Sequence, residues 1–348
     1  MTQQLSPSQH PPGDSSAPLL VLAWPWFRGL GHRYGGILKG QGFDVLLVTT
    51  NQHFAASERE VDEVILSTNP ARAVLDVLAL RRRLAKRKVH GLVMSGVKTP
   101  AWLPLLMMRN DVYEAIHDVQ PHDSAHALHG LRALTRDIIR RSADAFIFFS
   151  ESSRGQFYAA RLADRRPSEV WPLLPETRVE ARQPVANDDR RGFVVLGRFS
   201  EYKGFDIAIH AWAKLPEELK VEHPLTVLCN GVLPDRLREL VPSEQIHEGV
   251  FSWSLAQEAI AGARAVLLPY RAISQSGVQV LALALDTPTM STRLPGFVEY
   301  ASGACTHVSS TDPDDWTKAM VDLLATPFVP PTVPIPPTQL RVPKVLHG

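Results

Sequence analysis

Short apolar runs alternate along the chain with stretches in which apolar residues recur every three or four positions. Short runs are typical of buried strands, and the longer period is typical of amphipathic helices. The runs predict strands at Leu19–Ala23, Asp44–Thr49, Val64–Leu66, His90–Met94, Val112–Ile116, Ala145–Phe149, Phe193–Leu196, Leu225–Cys229, Ile246–Phe251, Ala265–Leu268 and Thr289–Ser291. Strands that alternate with helices pair in parallel, so we predict an α/β protein with a doubly wound sheet in each half.

A polar, proline-bearing stretch between residues 165 and 191 predicts a domain boundary. The chain has 348 residues, which is long for one hydrophobic core. We expect residues 19–180 and 181–326 to form two Rossmann-like domains. Residues 1–18 are rich in Ser, Pro and Gln and lack the pattern of a signal peptide, so we expect a disordered leader. Prolines in residues 327–348 are too dense for a helix or sheet, which predicts an extended tail.

Composition narrows the class of protein. Hydrophobic residues make up 45% and charged residues 21% of the chain, as in globular proteins. No apolar run reaches the roughly 18 residues of a membrane-spanning helix. The net charge of +1 argues against a nucleic-acid partner held by a global positive field. Cys229 and Cys305 have no zinc-binding or CxxC spacing and are expected to be thiols in a reducing cytoplasm.

The most informative stretch is Gly192–Leu215. A predicted strand stops at Gly197, and a helical pattern begins near Gly204, with Arg198 and Lys203 between them. A helix N-terminus offers free N–H groups and a positive dipole end, so this unit suits a phosphate or diphosphate. Spacing alone leaves open that both cations are merely solvated.

A second helix start with similar chemistry begins at Ser274. Hydroxyl and amide groups and Gly277 precede the predicted helix Val278–Leu285. Ser274 or Ser276 can equally act as an ordinary helix N-cap. Both helix starts follow strands, so one cleft at the carboxyl edge of a sheet could use them together.

The first half offers two weaker candidates for a ligand site. Four glycines between Gly29 and Gly36 predict a glycine-rich turn before a helix, where backbone can approach a ligand closely. Their spacing fits neither a dinucleotide fingerprint nor a P-loop. His117 and Asp118 follow a predicted strand, at the edge where open α/β sheets bind ligands.

Two patterns are compatible with a metal, and neither is favoured. His122, His126 and His129 have helical spacing but no HExxH signature. Asp312 and Asp314 spell DxD just before a predicted helix, where acidic residues are typical caps. We therefore expect no metal.

Several of these motifs together resemble one family. GRFSEYKGFDIAIHAW, LLPYRAISQSGVQVLALALDTPTMST and PGFVE resemble the C-terminal half of retaining GT-B glycosyltransferases of the "glycosyl transferases group 1" type. RGLGHRYGGIL and AIHD are similar to that family's N-terminal half. The resemblance covers Leu19–Leu324 and implies two Rossmann-like domains that face each other across a cleft. The C-terminal domain would hold a UDP- or GDP-sugar, and the N-terminal domain would hold the acceptor.

The resemblance also implies an activity. It implies a hexosyltransferase that moves sugar from an NDP-sugar to a hydroxyl of a glycan, a glycolipid or a lipid-linked intermediate. The transfer would retain the anomeric configuration and need no metal or other cofactor.

The resemblance implies roles for individual residues. Arg198 and Lys203 match the pair that neutralises the donor diphosphate. His117 matches a histidine near the transferred sugar, and Gly31 would let a loop approach the phosphate. The residues matched to donor binding in the second half are Gln275, Ser276, Gly277, Val278 and Glu299.

The chain departs from the family at one place. The family commonly carries two glutamates eight positions apart, and Ile273 and Leu281 stand at those positions. Neither side chain can accept a hydrogen bond, although Gln275 and Ser276 could substitute. This leaves open a non-catalytic nucleotide-sugar or glycan-binding accessory protein, or a nucleotide-sugar epimerase.

A basic run from Arg81 to Lys88 ends the predicted helix Ala73–Lys88. Such a helix can lie on an anionic membrane surface, which would suit a lipid-linked acceptor. An ordinary surface helix with a solvated basic end fits the same pattern better.

Overall fold

A computed structural model describes residues 17–50, 59–108, 111–119, 130–160, 162–177, 179, 185, 187–301, 303–331 and 339–343. Most of the expected leader, the three histidines of the considered metal site and much of the proline-rich tail lie outside these ranges.

The described residues form two sheets. The strands are β1 (Leu19–Ala23), β2 (Asp44–Thr50), β3 (Asp62–Leu66), β4 (Val89–Ser95), β5 (Asp111–Ile116), β6 (Ala145–Phe148), β7 (Ser168–Val170), β8 (Phe193–Arg198), β9 (Leu225–Asn230), β10 (Ile246–Glu248), β11 (Ala265–Leu268), β12 (Thr289–Thr292) and β13 (Thr306–Val308). The strand order is β3-β2-β1-β4-β5-β6-β7 in the first sheet and β10-β9-β8-β11-β12-β13 in the second. All pairings are parallel.

Helices connect the strands. They are α1 (Arg28–Gly40), α2 (Pro70–Leu84), α3 (Leu131–Ser142), α4 (Glu151–Ala159), α5 (Phe205–Ala213), α6 (Glu217–Glu222), α7 (Asp235–Arg238), α8 (Trp253–Gly262), α9 (Gly277–Ala284), α10 (Pro295–Val298) and α11 (Pro313–Leu324). A 3-10 segment covers Pro100–Met108. The predicted α/β architecture with a doubly wound parallel sheet in each half is confirmed.

Each central strand contributes to two cores because successive side chains point to opposite faces of a sheet. In β1, Leu19 and Val21 pack in the core that contains residues of α2, α3 and α4, while Leu20 packs with residues of α1. In β8, Phe193 packs with residues of α5 and α11, while Val194 packs with residues of α8 and α9. This two-sided burial explains why both strands are apolar at consecutive positions.

The expected glycine-rich turn is wrong. All four glycines lie inside α1, and they allow close packing of that helix. A Cβ on Gly31 would lie 2.6 Å from Cδ1 of Leu47 in β2, and one on Gly29 would lie 2.2 Å from the carbonyl oxygen of Glu176. The glycines therefore serve helix packing, because only a residue without a side chain lets α1 lie this close to Leu47 and to the Glu176 carbonyl.

Two other boundaries differ from the sequence prediction. Helix α2 begins at Pro70, because the Asn69 side chain caps it by accepting hydrogen bonds from two backbone N–H groups, and it ends at Leu84. The predicted polar link contains strand β7, and Trp171 beyond it is buried in the first domain.

The described part of the C-terminal tail returns to the first domain. Leu340 is buried there, and its backbone N–H and carbonyl both hydrogen-bond to the side-chain amide of Gln41, at 2.9 and 3.0 Å. Trp171 donates its indole N–H to the carbonyl of Arg341 at 2.8 Å. The tail segment therefore links the end of the chain to the N-terminal domain.

Candidate functional site

A cleft lies between the carboxyl edges of the two sheets. Strand order reverses between β1 and β4 in the first sheet and between β8 and β11 in the second, and open α/β sheets bind ligands at such switch points. A cavity of about 370 Å³ is lined by residues that follow β1, β4, β5 and β8 and by residues of α3. Its polar and aromatic lining includes Trp26, Phe27, Lys98, Glu114, His117, Asp118, Arg136, Arg140, Arg198 and Tyr202. Both domains therefore contribute to one cavity.

The structure brings Arg198 and Lys203 close together. Arg198 is the last residue of β8 and is exposed, whereas Lys203 lies in a half-buried 3-10 turn. Burial lowers the pKa of Lys203, and the charge of Arg198 lowers it further, against opposing effects of Tyr202 and Asp118. The Lys203 ammonium lies 5.2 Å from the ring centroid of Tyr270. A diphosphate would relieve this repulsion between two cations.

Two glycines shape the loop that carries these cations. Gly197 has φ of 125° and Gly204 has φ of 66°, a region that favours glycine. A Cβ on Gly197 would lie 2.6 Å from Nζ of Lys203, and a Cβ on Gly204 would lie 2.1 Å from the carbonyl oxygen of Pro269. The Lys203 ammonium therefore lies against the end of the strand, and the loop lies against the end of β11.

Arg271 ties the loop after β11 to the loop after β8. Its guanidinium donates to the Glu201 carbonyl at 2.7 Å and forms an ion pair with Asp206 of α5 at 2.8 Å. Its backbone N–H donates to the carbonyl of Tyr202, also at 2.7 Å. The two predicted phosphate-binding helix starts thus belong to one connected unit.

At the second helix start, the structure assigns local roles to some of the predicted residues. Ser276 is the N-cap of α9, and its Oγ accepts from the backbone N–H of Gln279 at 3.2 Å. The backbone at Gly277 is exposed, and a Cβ there would have no neighbour within 4 Å. Val278 is half-buried against the core. The open side of this helix start is therefore at Gly277.

Gln275 and His117 meet across the two domains. The Gln275 side-chain amide donates to the backbone carbonyl of His117, and its Oε1 accepts from Ser153 Oγ at 3.1 Å. The His117 ring stacks on Phe27 with centroids 4.5 Å apart, and its Nδ1 lies 3.3 Å from Oδ2 of Asp118. Gln275 thereby joins the second helix start to the strand end that carries His117.

Glu299 contacts the N-terminal domain. Its carboxylate accepts from the backbone N–H groups of Glu151 and Ser152 at 2.6 and 3.0 Å, at the first turn of α4. A negative charge is favourable there because of the helix dipole. Next to it, the Tyr300 hydroxyl donates to the Phe149 carbonyl and accepts from the Leu173 N–H. Both residues hold the domains together in this structure.

Gly31 stands apart from these residues. It is buried in α1 and faces Leu47, so its missing side chain leaves room for the sheet. The remaining predicted residues gather at or beside the cleft.

Sequence reasoning missed part of the wall contributed by the first domain. Lys98 follows β4 by three residues, and Arg140 of α3 forms a bidentate ion pair with Glu114 of β5, with both contacts at 3.2 Å. Burial raises the pKa of Glu114, and Arg140 opposes the shift. The available signal for Lys98 was its place just after the strand beside β1, where the strand order reverses.

The positions at which the resembled family carries glutamates belong to the hydrophobic core here. Ile273 and Leu281 have only 8% and 2% of their surface exposed, and they pack in one cluster with Phe297. Both side chains pack in the hydrophobic core and are not available to bind a ligand.

The described ranges contain neither a metal-binding cluster nor a membrane-spanning helix. Among those residues, no group of three or more His, Cys, Asp or Glu side chains is arranged to hold a metal ion. Asp312 is the N-cap of α11, and its carboxylate accepts from the Asp314 backbone N–H at 2.9 Å. No helix in the described part of the chain combines the length and apolarity needed to cross a bilayer.

Comparison with solved structures defines the fold class. The chain is similar to sucrose-phosphate synthase from Thermosynechococcus elongatus, with a TM-score of 0.68, 15% identity and 90% of each chain covered. It is similar to HepE from Anabaena in complex with UDP and glucose, with a TM-score of 0.61, 14% identity and 89% and 90% of the two chains covered. For WaaG, a glycosyltransferase involved in lipopolysaccharide biosynthesis, the TM-score is 0.61 at 15% identity, with 88% and 90% covered. The protein has the GT-B fold of glycosyltransferases.

The second domain also matches a family model. Residues 190–326 match the family model "Glycosyl transferases group 1", so this domain is a group 1 glycosyltransferase domain. No curated protein matches the chain in sequence.

Proposed function

We propose that the protein transfers a sugar from a nucleotide-sugar to a hydroxyl of an acceptor, with retention at the anomeric carbon. The observation that carries this proposal is the placement of Arg198 and Lys203 at the switch point of the second sheet, where Arg198 lines a cavity shared with the first domain. Open α/β sheets bind ligands at this position. The group 1 match of the second domain supports the same activity.

The two cations suit the chemistry of the leaving group. In the transfer, the bond between the anomeric carbon and the diphosphate oxygen breaks, a bond to the acceptor oxygen forms, and the proton of the acceptor hydroxyl passes to the released diphosphate. Negative charge grows on the nucleoside diphosphate, and Arg198 and Lys203 would stabilise it from positions fixed before the reaction. Two fixed cations supply the charge that a metal ion supplies in other transferases.

The remaining site residues take supporting roles in the proposal. Gly277 and Val278 begin α9 and would offer backbone N–H groups to the donor, while the Ser276 hydroxyl caps the helix. His117 would contact the transferred sugar with a ring held by Phe27. Gln275 and Glu299 would have to exchange their present interdomain partners to contact the donor.

The donor base and the acceptor class belong to the proposal as well. UDP is the first nucleoside diphosphate to test because HepE was solved with UDP, and GDP is the second. The acceptor hydroxyl would belong to a glycan, a glycolipid or a lipid-linked intermediate. The basic end of α2 immediately precedes β4 and so lies at the amino edge of the sheet, opposite the cleft. Peripheral membrane contact through that end would therefore not place the membrane at the cleft.

The test begins with ligand-induced thermal stabilisation, because a ligand that binds the native state raises its melting temperature. We would screen UDP, GDP and ADP with their common sugars and then measure release of the free nucleoside diphosphate. Stabilisation by one nucleotide series and turnover of its sugar form are expected. An absence of stabilisation by all of them would refute the proposal.

A second candidate is a non-catalytic nucleotide-sugar or glycan-binding accessory protein. It is favoured by Ile273 and Leu281, which are core residues where the resembled enzymes carry glutamates. It predicts tight binding of a nucleoside diphosphate with no hydrolysis of the sugar form. Calorimetry combined with a hydrolysis assay separates it from the enzyme.

A further inference from the structure

The wall of the cavity that the first domain contributes carries a cation, Lys98, that is not among the residues assigned to the donor. Lys98 lies three residues after β4, at the switch point of the first sheet. It lines the same cavity as Arg198 but belongs to the opposite domain. Its ammonium lies 5.8 Å from the ring centroid of Trp26, and Lys98 forms no ion pair within the described part of the chain.

Two arginines of the first domain that line the cavity are paired locally. Arg140 is paired with Glu114, and Arg136 is paired with its neighbour Asp137 at 2.8 Å. Burial has the largest effect on the pKa of Lys98, followed by the favourable charge of Asp118. The charge of Asp118 raises the pKa of Lys98, whereas the positive charges of Arg132 and Arg198 lower it.

The position of Lys98 is unfavourable for its charged form. The side chain is half-buried, and burial lowers its pKa because it disfavours the charged ammonium. Nearby cations add to this effect. An anionic group bound beside Lys98 would offset both effects and would form a charge-assisted hydrogen bond.

From this juxtaposition we infer that the acceptor carries a phosphate group, and that Lys98 binds it while Trp26 packs against the sugar ring. This inference rests on the proposed function, because it assigns the donor to Arg198 and Lys203 and the acceptor to the first domain. A phosphate fits because it carries close to two negative charges at neutral pH. Trp26 fits because 43% of its surface is exposed and its ring presents an apolar face beside the ammonium.

The phosphate could come from a free sugar phosphate or from a lipid headgroup, and the test distinguishes these sources. The full chain is saturated with UDP, so that the phosphate-binding positions of Arg198 and Lys203 are occupied. Calorimetry then measures the binding of inorganic phosphate, glucose, glucose 6-phosphate and water-soluble dihexanoyl phosphatidylinositol. We expect inorganic phosphate and one of the two organic phosphates to bind, and glucose to bind more weakly than its phosphate.

Three variants assign the effect to Lys98. Lys98→Met removes the charge at similar volume, and phosphate affinity should fall about tenfold, as expected for one charged hydrogen bond. Lys98→Arg keeps the charge and should retain binding within about threefold. Lys86→Met is the matched control, because Lys86 is an exposed lysine at the opposite edge of the sheet, and it should bind phosphate like the wild type.

Several outcomes would overturn the inference. One is equal affinity for glucose and its phosphate together with no inorganic phosphate binding. Another is phosphate binding that Lys98→Met leaves unchanged, and a third is a Lys98→Met loss that is equally large for UDP, which would indicate a general electrostatic effect. Failure of the proposed function looks different. In that case UDP itself does not bind, and the comparison of wild type with Lys98→Met in inorganic phosphate alone still decides the role of Lys98.

Discussion

The two domains have the same strand order around their switch points but build the two walls of the cleft differently. In the second domain, one continuous unit supplies the cations, and it is fixed by Gly204 against Pro269 and by Arg271 against Asp206. In the first domain, the wall is assembled from separate loops, which bring Trp26 to Lys98. The family match at residues 190–326 covers only the wall that the second domain contributes.

This contrast teaches where a sequence reveals chemistry. A site made by one strand, loop and helix keeps its residues at fixed spacing, so a motif can represent it. A site made by several loops has no fixed spacing, because each loop contributes one or two residues. The proposal assigns the second domain's wall, with Arg198 and Lys203, to the donor, and we call it the donor wall. It assigns the first domain's wall, with Trp26 and Lys98, to the acceptor, and we call it the acceptor wall. We expect the donor wall to tolerate little change and the acceptor wall to determine which substrate is accepted.

The largest expected effect is on the donor wall. Arg198→Ala and Lys203→Ala should each lower turnover about 100-fold or more, because one group that stabilises transition-state charge contributes ~3 kcal/mol. The measurement is the rate of nucleoside diphosphate release at saturating donor. Lys214→Ala is the control, since Lys214 ends α5 and pairs with Asp314 on the surface. Wild-type rates in both cleft variants would remove the donor wall from the mechanism.

The pH dependence of kcat/KM tests Lys203 separately. Its pKa is lowered by burial, so its ammonium loses the proton at a lower pH than an ordinary lysine does. The kcat/KM for the donor, which reports the free enzyme, should therefore fall on the alkaline side at a lower pH than the usual range of lysine. Lys203→Arg keeps its charge and should extend activity to higher pH. Identical alkaline profiles for both proteins would show that Lys203 does not set the limit.

The framework of the first domain depends on Glu63 of β3. Its carboxylate is paired with Arg28 at 2.6 Å and with Arg59 at 2.8 Å, and it lies 3.1 Å from the His32 ring. Burial by itself raises the pKa of Glu63, but the hydrogen bonds with His32 and Arg28 outweigh it and lower the pKa to about 2. The folded state therefore holds this carboxylate in its charged form.

Glu63→Gln should reduce the free energy of unfolding at neutral pH by about 3 kcal/mol, since it removes the charge that the half-buried Arg28 pairs with and that holds the pKa of Glu63 low. In the wild type this stabilisation is complete above about pH 5, and it is lost as the pH falls toward about 2, because the folded pKa lies below the unfolded one. Denaturant titrations across this range measure the slope, which Glu63→Gln should lack. Asp62→Asn, an exposed carboxylate on the same strand, should keep it.

A smaller change sharpens the donor wall without removing a charge. Gly197→Ala places a Cβ where the Lys203 ammonium now lies, and the positive φ at this position strains any side chain. We expect UDP affinity to fall about tenfold and stability to fall by about 1 kcal/mol. Calorimetry and thermal unfolding measure the two effects. Gly277→Ala has open space for its Cβ, so unchanged folding is expected there.

The smallest expected effect concerns the contact between the two walls. Glu299→Gln removes a charge from the N-terminus of α4, a contact that contributes about 1 kcal/mol. Small-angle scattering should then show a slightly larger radius of gyration without ligand. A loss of UDP affinity larger than about tenfold would instead assign Glu299 to the donor.

The sequence predicted the strands and most of the helices because burial on both faces of a parallel sheet requires continuous apolar runs. Leu19–Ala23 and Ala265–Leu268 were predicted with the bounds that the structure has. Short edge strands such as β7 and β13 were missed, since three residues carry too little periodic signal. The glycines of α1 were misread because a helix glycine and a turn glycine look alike until the neighbour, here Leu47, is known.

The candidate site divides in the same way. Local order along the chain determined that Arg198 and Lys203 follow a strand and precede a helix. Only tertiary structure decided that Gln275 reaches the His117 carbonyl, that Glu299 caps α4 and that Lys98 faces the cavity opposite Arg198.

The physical reason is the distance along the chain between the residues that interact. The period of hydrophobic residues and the charge of a loop are local properties, so the sequence by itself determines two βα domains and one loop that carries two cations between a strand and a helix. The partner of a side chain depends on how distant segments pack, and residues 98 and 198 are brought to one cavity only when both sheets are formed and face each other. The cations of the second domain's wall could therefore be predicted from the sequence. In the first domain's wall only the strand end with His117 and Asp118 could be predicted, and Lys98 and Trp26 were found only in the folded structure.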